Sequence, residues 1–219
     1  MRFHTMITAL TITLLAGATQ ADEVTRFTAT INNLGAIAPG GSTSTETGMS
    51  GVGIFTLSEP SAGSPTLAYE LLFEGVDFVG DDGDPGNDVT AIHFHDTTGV
   101  DHSAATPHVL NIFGFPALDD DDMAFEPAAA RVTGVWDDAD LSEGMLAGNP
   151  MGNSDTLTSM LPALKAGELF VMLHTSSPDA LPGGSGITIG GQIVAVPEPG
   201  AALLGLLALA AGLLPRRGR

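Results

Sequence analysis

The side chains here whose types and spacing suit chemistry are histidines. The stretch Thr90-Ala91-Ile92-His93-Phe94-His95-Asp96 carries two imidazoles one residue apart, in a segment with strand character. Strand side chains alternate between faces, so His93 and His95 point one way and Ile92 and Phe94 the other. His108 follows at the end of a loop, and His174 closes a distant apolar segment. Three or four converging imidazoles suit Cu²⁺ or Zn²⁺, which favour nitrogen donors. The other reading of the same pattern is a polar patch hydrogen-bonded to neighbouring strands. The enzymatic form of the metal reading would be a metal-dependent oxidoreductase.

Oxygen donors form a second set. The loop Gly80-Asp81-Asp82-Gly83-Asp84-Pro85-Gly86-Asn87-Asp88 leads straight into the histidine strand. Ca²⁺ takes several oxygen ligands from a loop that wraps it, and Asp81, Asp82, Asp84, Asn87 and Asp88 would be the donors. The spacing is not that of an EF-hand, and the ordinary reading is a solvated acidic turn. The run Asp119-Asp120-Asp121-Asp122 reads as a solvated loop first and a cation site second, because like charges repel. Met123, Met145, Met151 and Met160 read as loop and core fillers before soft ligands. No nucleophile-elbow serine, no glycine-rich phosphate loop and no cysteine is present, so the pattern favours a non-enzymatic protein.

The elements that must position these residues are short. Apolar runs at 24–31, 51–57, 66–73, 90–96, 109–114, 130–136 (A-R-V-T-G-V-W), 168–175 and 187–194 are separated by stretches rich in the chain's 28 glycines and 14 prolines. One helix is expected over 156–166, interrupted by Pro162. Strand after strand with no sustained helical period predicts an all-β, antiparallel, Greek-key-like sandwich or barrel, superoxide-dismutase-like or immunoglobulin-like.

Charge excludes one class of partner. With 26 acidic residues against 7 basic, the chain carries a net charge of −19 and should repel nucleic acid while attracting divalent cations. Outside the terminal segments the basic residues are Arg26, Arg131 and Lys165.

Both ends look like addresses. Residues 1–21 have a basic start, an apolar centre and small residues beyond it, the layout of a signal peptide read by the Sec export machinery. At the other end, Val196-Pro197-Glu198-Pro199 precedes an apolar run over 200–214 and then Arg216-Arg217-Gly218-Arg219. At about 1.5 Å per residue the run spans roughly 22 Å, a short transmembrane helix that arginine snorkelling would extend. This order resembles the PEP-CTERM sorting signal. The resemblance implies passage through the inner membrane of a Gram-negative bacterium, cleavage by an exosortase, and release to the cell surface or extracellular polysaccharide matrix. A permanent single-span anchor is the alternative.

The body has its own resemblance. The histidine strand, then Gly167-Glu168-Leu169-Phe170-Val171-Met172-Leu173-His174-Thr175, then Gly186-Ile187-Thr188-Ile189-Gly190-Gly191-Gln192-Ile193, together resemble the CHRD domain, an all-β family. The chain departs from that pattern at Thr188 and Gly190, where Glu and Arg are usual, and at Phe170, where Tyr is usual. The resemblance implies a domain over 22–195, between a signal peptide at 1–21 and a sorting signal at 196–219. It implies a surface or matrix protein acting as a structural or binding module, the alternative being a Cu/Zn protein using His93, His95, His108 and His174. The histidine order is also similar to that of copper/zinc superoxide dismutase, without its cysteines, its zinc histidines or its arginine.

Overall fold

A computed structural model describes residues 22–32, 48–80, 83–84, 87–97, 108–114, 119–140, 155–176 and 188–197. The expected signal peptide and C-terminal membrane helix lie outside the described residues. Among the described residues no helix is long and apolar enough to cross a membrane.

The first three strands, β1 (Glu23–Ile31), β2 (Ser50–Glu59) and β3 (Thr66–Glu74), form an antiparallel meander in the register Phe27↔Phe55↔Tyr69. Their alternation is the sequence's own. In β3, Leu67, Tyr69, Leu71 and Phe73 are buried, with Ala68, Glu70 and Leu72 on the other face. β4 (Val89–Asp96) and β5 (His108–Gly114) start a second sheet. The chain then returns to the first sheet through β6 (Ala124–Glu126) and β7 (Arg131–Trp136). Helix α1 (Leu157–Ala166) leads into β8 (Leu169–Thr175), and β9 (Thr188–Gln192) and β10 (Val194–Ala195) follow. Two antiparallel sheets result, ordered β10-β1-β2-β3-β7-β6 and β5-β4-β8-β9.

Phe94 of β4 marks the interface between the layers. Its ring meets Phe55 at 5.8 Å, Tyr69 at 5.9 Å and Trp136 at 5.8 Å, all edge-on or nearly so. Ile92, Leu110, Ile112, Val171 and Leu173 complete the inner face of the second sheet.

Several expectations change in detail. The strand A-R-V-T-G-V-W expected at 130–136 forms from Arg131 to Trp136, one residue shorter, because Pro127–Ala129 makes a 3-10 turn that ends on Ala130 in the left-handed region, φ 44°. The short β6 that pairs with β7 had no separate signal in the sequence. The strand expected over 187–194 is two strands. β9 pairs with β8 in the second sheet, and β10 pairs with β1 in the first. The helix is not broken at Pro162, which lies on its exposed side. Thr156 caps its start by accepting from the Ser159 N–H, and Gly167 ends it at φ 74°.

Candidate functional site

β4 lies between β5 and β8, so its outward residues have neighbours on both sides. His93 stands opposite Asn111 of β5 and Met172 of β8. His95 stands opposite His108 and Phe170, and Ala91 opposite His174. The inner face takes Ile92 and Phe94, so these residues share the outer face, as the two-residue period requires. His108 is the correction to the sequence reading: it opens β5 rather than sitting in a loop. Register shifts between β4 and β5 at Ile92/His93 and Phe94/His95 set both His108 and Asn111 on the histidine face.

The four rings are close. Centroids are 5.7 Å apart for His93 and His95, 5.0 Å for His93 and His174, and 6.5 Å for His95 and His174. His108 stacks on His93 at 4.2 Å and 13° and meets His95 edge-on at 4.4 Å. The Nδ1 of His93 is 2.9 Å from the Oδ1 of Asn111, whose Nδ2 donates to the Gly114 carbonyl at 3.2 Å.

This outer face is buried except at His108, which is half-buried. His93 and His95 are each 2% exposed and Asn111 is fully covered, whereas Val52 and Ile54 on the outer face of the first sheet are 38% and 45% exposed. Burial, then the neighbouring imidazoles, push the pKa of His93 well below the ordinary histidine value. Burial and the His108 imidazole lower His174 to about 4. Both are neutral at physiological pH, the form that coordinates metals.

Only part of the expected oxygen-donor loop is among the described residues. Asp81 and Asp82 lie outside the described residues, as does His102. Asp84, Asn87 and Asp88 belong to a turn latched by backbone bonds, Asn87 N–H to the Asp84 carbonyl at 3.3 Å and Ser176 N–H to the Asp88 carbonyl at 2.9 Å. Val196 donates to the Arg26 carbonyl at 2.8 Å and Pro197 is exposed, while Glu198, Pro199, Arg216 and Arg217 lie outside the described residues.

The aspartate run is exposed at Asp119, Asp121 and Asp122, as expected of a solvated loop, and departs from that expectation at Asp120. Asp119 accepts from the Gly114 N–H at 2.6 Å, and Asp122 accepts from the Val135 N–H at 2.7 Å. Asp120, 5% exposed, accepts from the Tyr69 hydroxyl at 2.6 Å. Burial raises the Asp120 carboxyl to about 7 despite that hydrogen bond, and burial with the nearby carboxylates pushes the Tyr69 phenol far above its ordinary value. Donor atoms of Asp120, Asp121 and Asp140 lie within 4.8 Å of one another, the one such set of three among the described residues. No three imidazole nitrogens of the histidine face, as placed, lie within that distance of one another. Sequence reasoning passed over Tyr69 and Asn111; only the register of β3 with β7 and of β4 with β5 brings them into these groups.

A family model described as CHRD domain matches residues 18–181, a span that holds the four clustered histidines and ends ahead of β9. No curated protein and no solved structure matches the chain.

Proposed function

Because this chain belongs to the CHRD domain family, we propose that it works outside the cytoplasm as a non-enzymatic binding module, its sandwich the scaffold and the outer face of β4, β5 and β8 the functional surface. The observation that carries this reading is the buried polar face itself. A sheet kept only for packing would cover that face with apolar side chains, because burying imidazoles and an amide costs free energy unless each finds a partner.

Family membership is compatible with an extracellular setting, and the strongly acidic body suits a soluble surface protein. On this reading the Sec machinery exports the chain and residues 200–214 hold it briefly in the inner membrane. An exosortase then reads Val196-Pro197-Glu198-Pro199 with Arg216 and Arg217, and the body passes to the cell surface or the polysaccharide matrix. The fold accommodates such a cut. β10, the last strand among the described residues, ends at Ala195, and Val196 makes one further backbone bond to Arg26.

Separate epitopes in the body and at the C-terminus test the route in a bacterium that carries an exosortase. The expected result is a body epitope at the surface or in the medium without the C-terminal one. Full-length protein retained in the inner membrane would contradict it.

A further inference from the structure

We infer that the outer face of β4, β5 and β8 is a transition-metal site of the Zn²⁺ or Cu²⁺ class, with His93, His95, His108 and His174 as imidazole donors and Asn111 as the residue that positions His93. The inference names the ligand of the face described above and rests on that binding reading. It does not rest on export, which ion binding in vitro leaves untouched.

Spacing is the first argument. Metal–nitrogen bonds of about 2.0–2.1 Å in a tetrahedral site place two imidazole centroids roughly 5 Å apart. The His93–His174 and His93–His95 separations, 5.0 and 5.7 Å, come near that requirement, while His95–His174 at 6.5 Å must close and the His93–His108 stack at 4.2 Å must open. His108 adds a fourth ring 4.4 Å from His95. These donors come from three adjacent strands of one sheet, a rigid platform on which their backbones are already fixed.

The proton on His93 is placed to suit a metal. Asn111 can turn its oxygen or its amide nitrogen towards that ring, and the far end of the same amide decides which. The Gly114 carbonyl is an acceptor only, so it must face Nδ2, and Oδ1 is left to face His93 Nδ1. An acceptor at 2.9 Å makes Nδ1 the protonated nitrogen, and the lone pair of the neutral ring then sits on Nε2. Gly114 is itself fixed: at φ 73° its backbone packs so closely on β4 that a Cβ there would stand within 3 Å of the Thr90 carbonyl. A chain of contacts from Thr90 through Gly114 and Asn111 thus determines which nitrogen His93 offers. Partners of this kind behind a ligating histidine fix its tautomer and raise its basicity.

Gathering the nitrogens round an ion requires the His93–His108 stack to open by side-chain rotation. The χ2 torsion of histidine is broad, so the movement needs no change of strand register.

The test uses the full-length chain, purified in detergent without a polyhistidine tag. It is titrated with Zn²⁺ and with Cu²⁺ against a chromophoric chelator, and histidine side-chain ¹⁵N shifts are recorded before and after Zn²⁺. The expected result is one equivalent bound, with Cu²⁺ the tighter. Before metal, His93 should be protonated at Nδ1; after it, His93 Nε2 and nitrogens of His95, His108 and His174 should show coordination shifts. Asn111→Leu should weaken binding by about 10–100-fold, whereas Asn111→Asp, which keeps the acceptor towards His93 but loses the donor to Gly114, should weaken it less. No stoichiometric binding by folded wild-type chain, or shifts confined to His4 and His102, overturns the site. A His93 protonated at Nε2 overturns the role of Asn111 and leaves the metal result to stand alone. If Asn111→Leu does not fold, the wild-type ¹⁵N shifts decide both questions.

Discussion

Asp120 is the residue whose surroundings have the clearest consequence for stability. Its folded pKa of about 7 lies above the ordinary 3.8, so between roughly pH 4 and 7 the native state holds a proton that the unfolded chain has lost. That stabilisation is fully present below pH 4 and is lost as pH rises through 7. Asp120→Asn keeps an acceptor for the Tyr69 hydroxyl and removes the titration. Urea unfolding should therefore show the variant gaining on wild type from pH 5 to pH 8, by on the order of 1–3 kcal/mol; a constant difference would show that the carboxyl is not raised. None of this was legible in the run of four aspartates, where like charge argued for solvation. Tyr69 lies 51 residues away in sequence and reaches Asp120 only through the sheet. The shared face of His93 and His95, by contrast, follows from the two-residue period alone. His108 and Asn111 did not, because the register shifts between β4 and β5 decide where they fall.

Among the elements, the least legible was the end of the domain. The run 187–194 looks like one strand, yet the chain changes sheets within it, pairing β9 with β8 and β10 with β1. Gly190 exchanges backbone bonds with Asn32 at 3.0 Å in both directions, and the next residue, Gly191, passes so close to β1 that a Cβ would lie 2.3 Å from the Thr30 carbonyl. Backbone cannot yield as a flexible side chain does, so Gly191→Ala should cost about 1–3 kcal/mol in chemical unfolding. A neutral result would mean that the two sheets are not closed at this corner. Thr156→Ala supplies a milder comparison, about 1 kcal/mol, because it removes one helix cap. The helix was readable from its Thr start and Gly stop, and its passage through Pro162 was not.

At the scale of the molecule, short strands, frequent glycine and proline and the absence of helical periodicity were enough to predict an all-β body, and the two antiparallel sheets agree. What composition could not supply was the division of strands between sheets, which depends on long-range pairing such as β3 with β7. Nor could it show that the outer face of the second sheet is buried while that of the first is open. That asymmetry sets the histidines apart from a solvated polar patch, and it makes the whole fold report on their ligand. Thermal unfolding of the full-length chain, with and without Zn²⁺, tests this most directly. At a free ion concentration about 100 times Kd, binding to the native state alone adds about 2.7 kcal/mol, a rise in Tm of roughly 5–10 °C for a chain of this size. The metal-site account predicts that rise for wild type and its loss when His93 and His95 are both replaced by Gln. A Tm that Zn²⁺ leaves unchanged, or an equal rise in the doubly substituted chain, would contradict it.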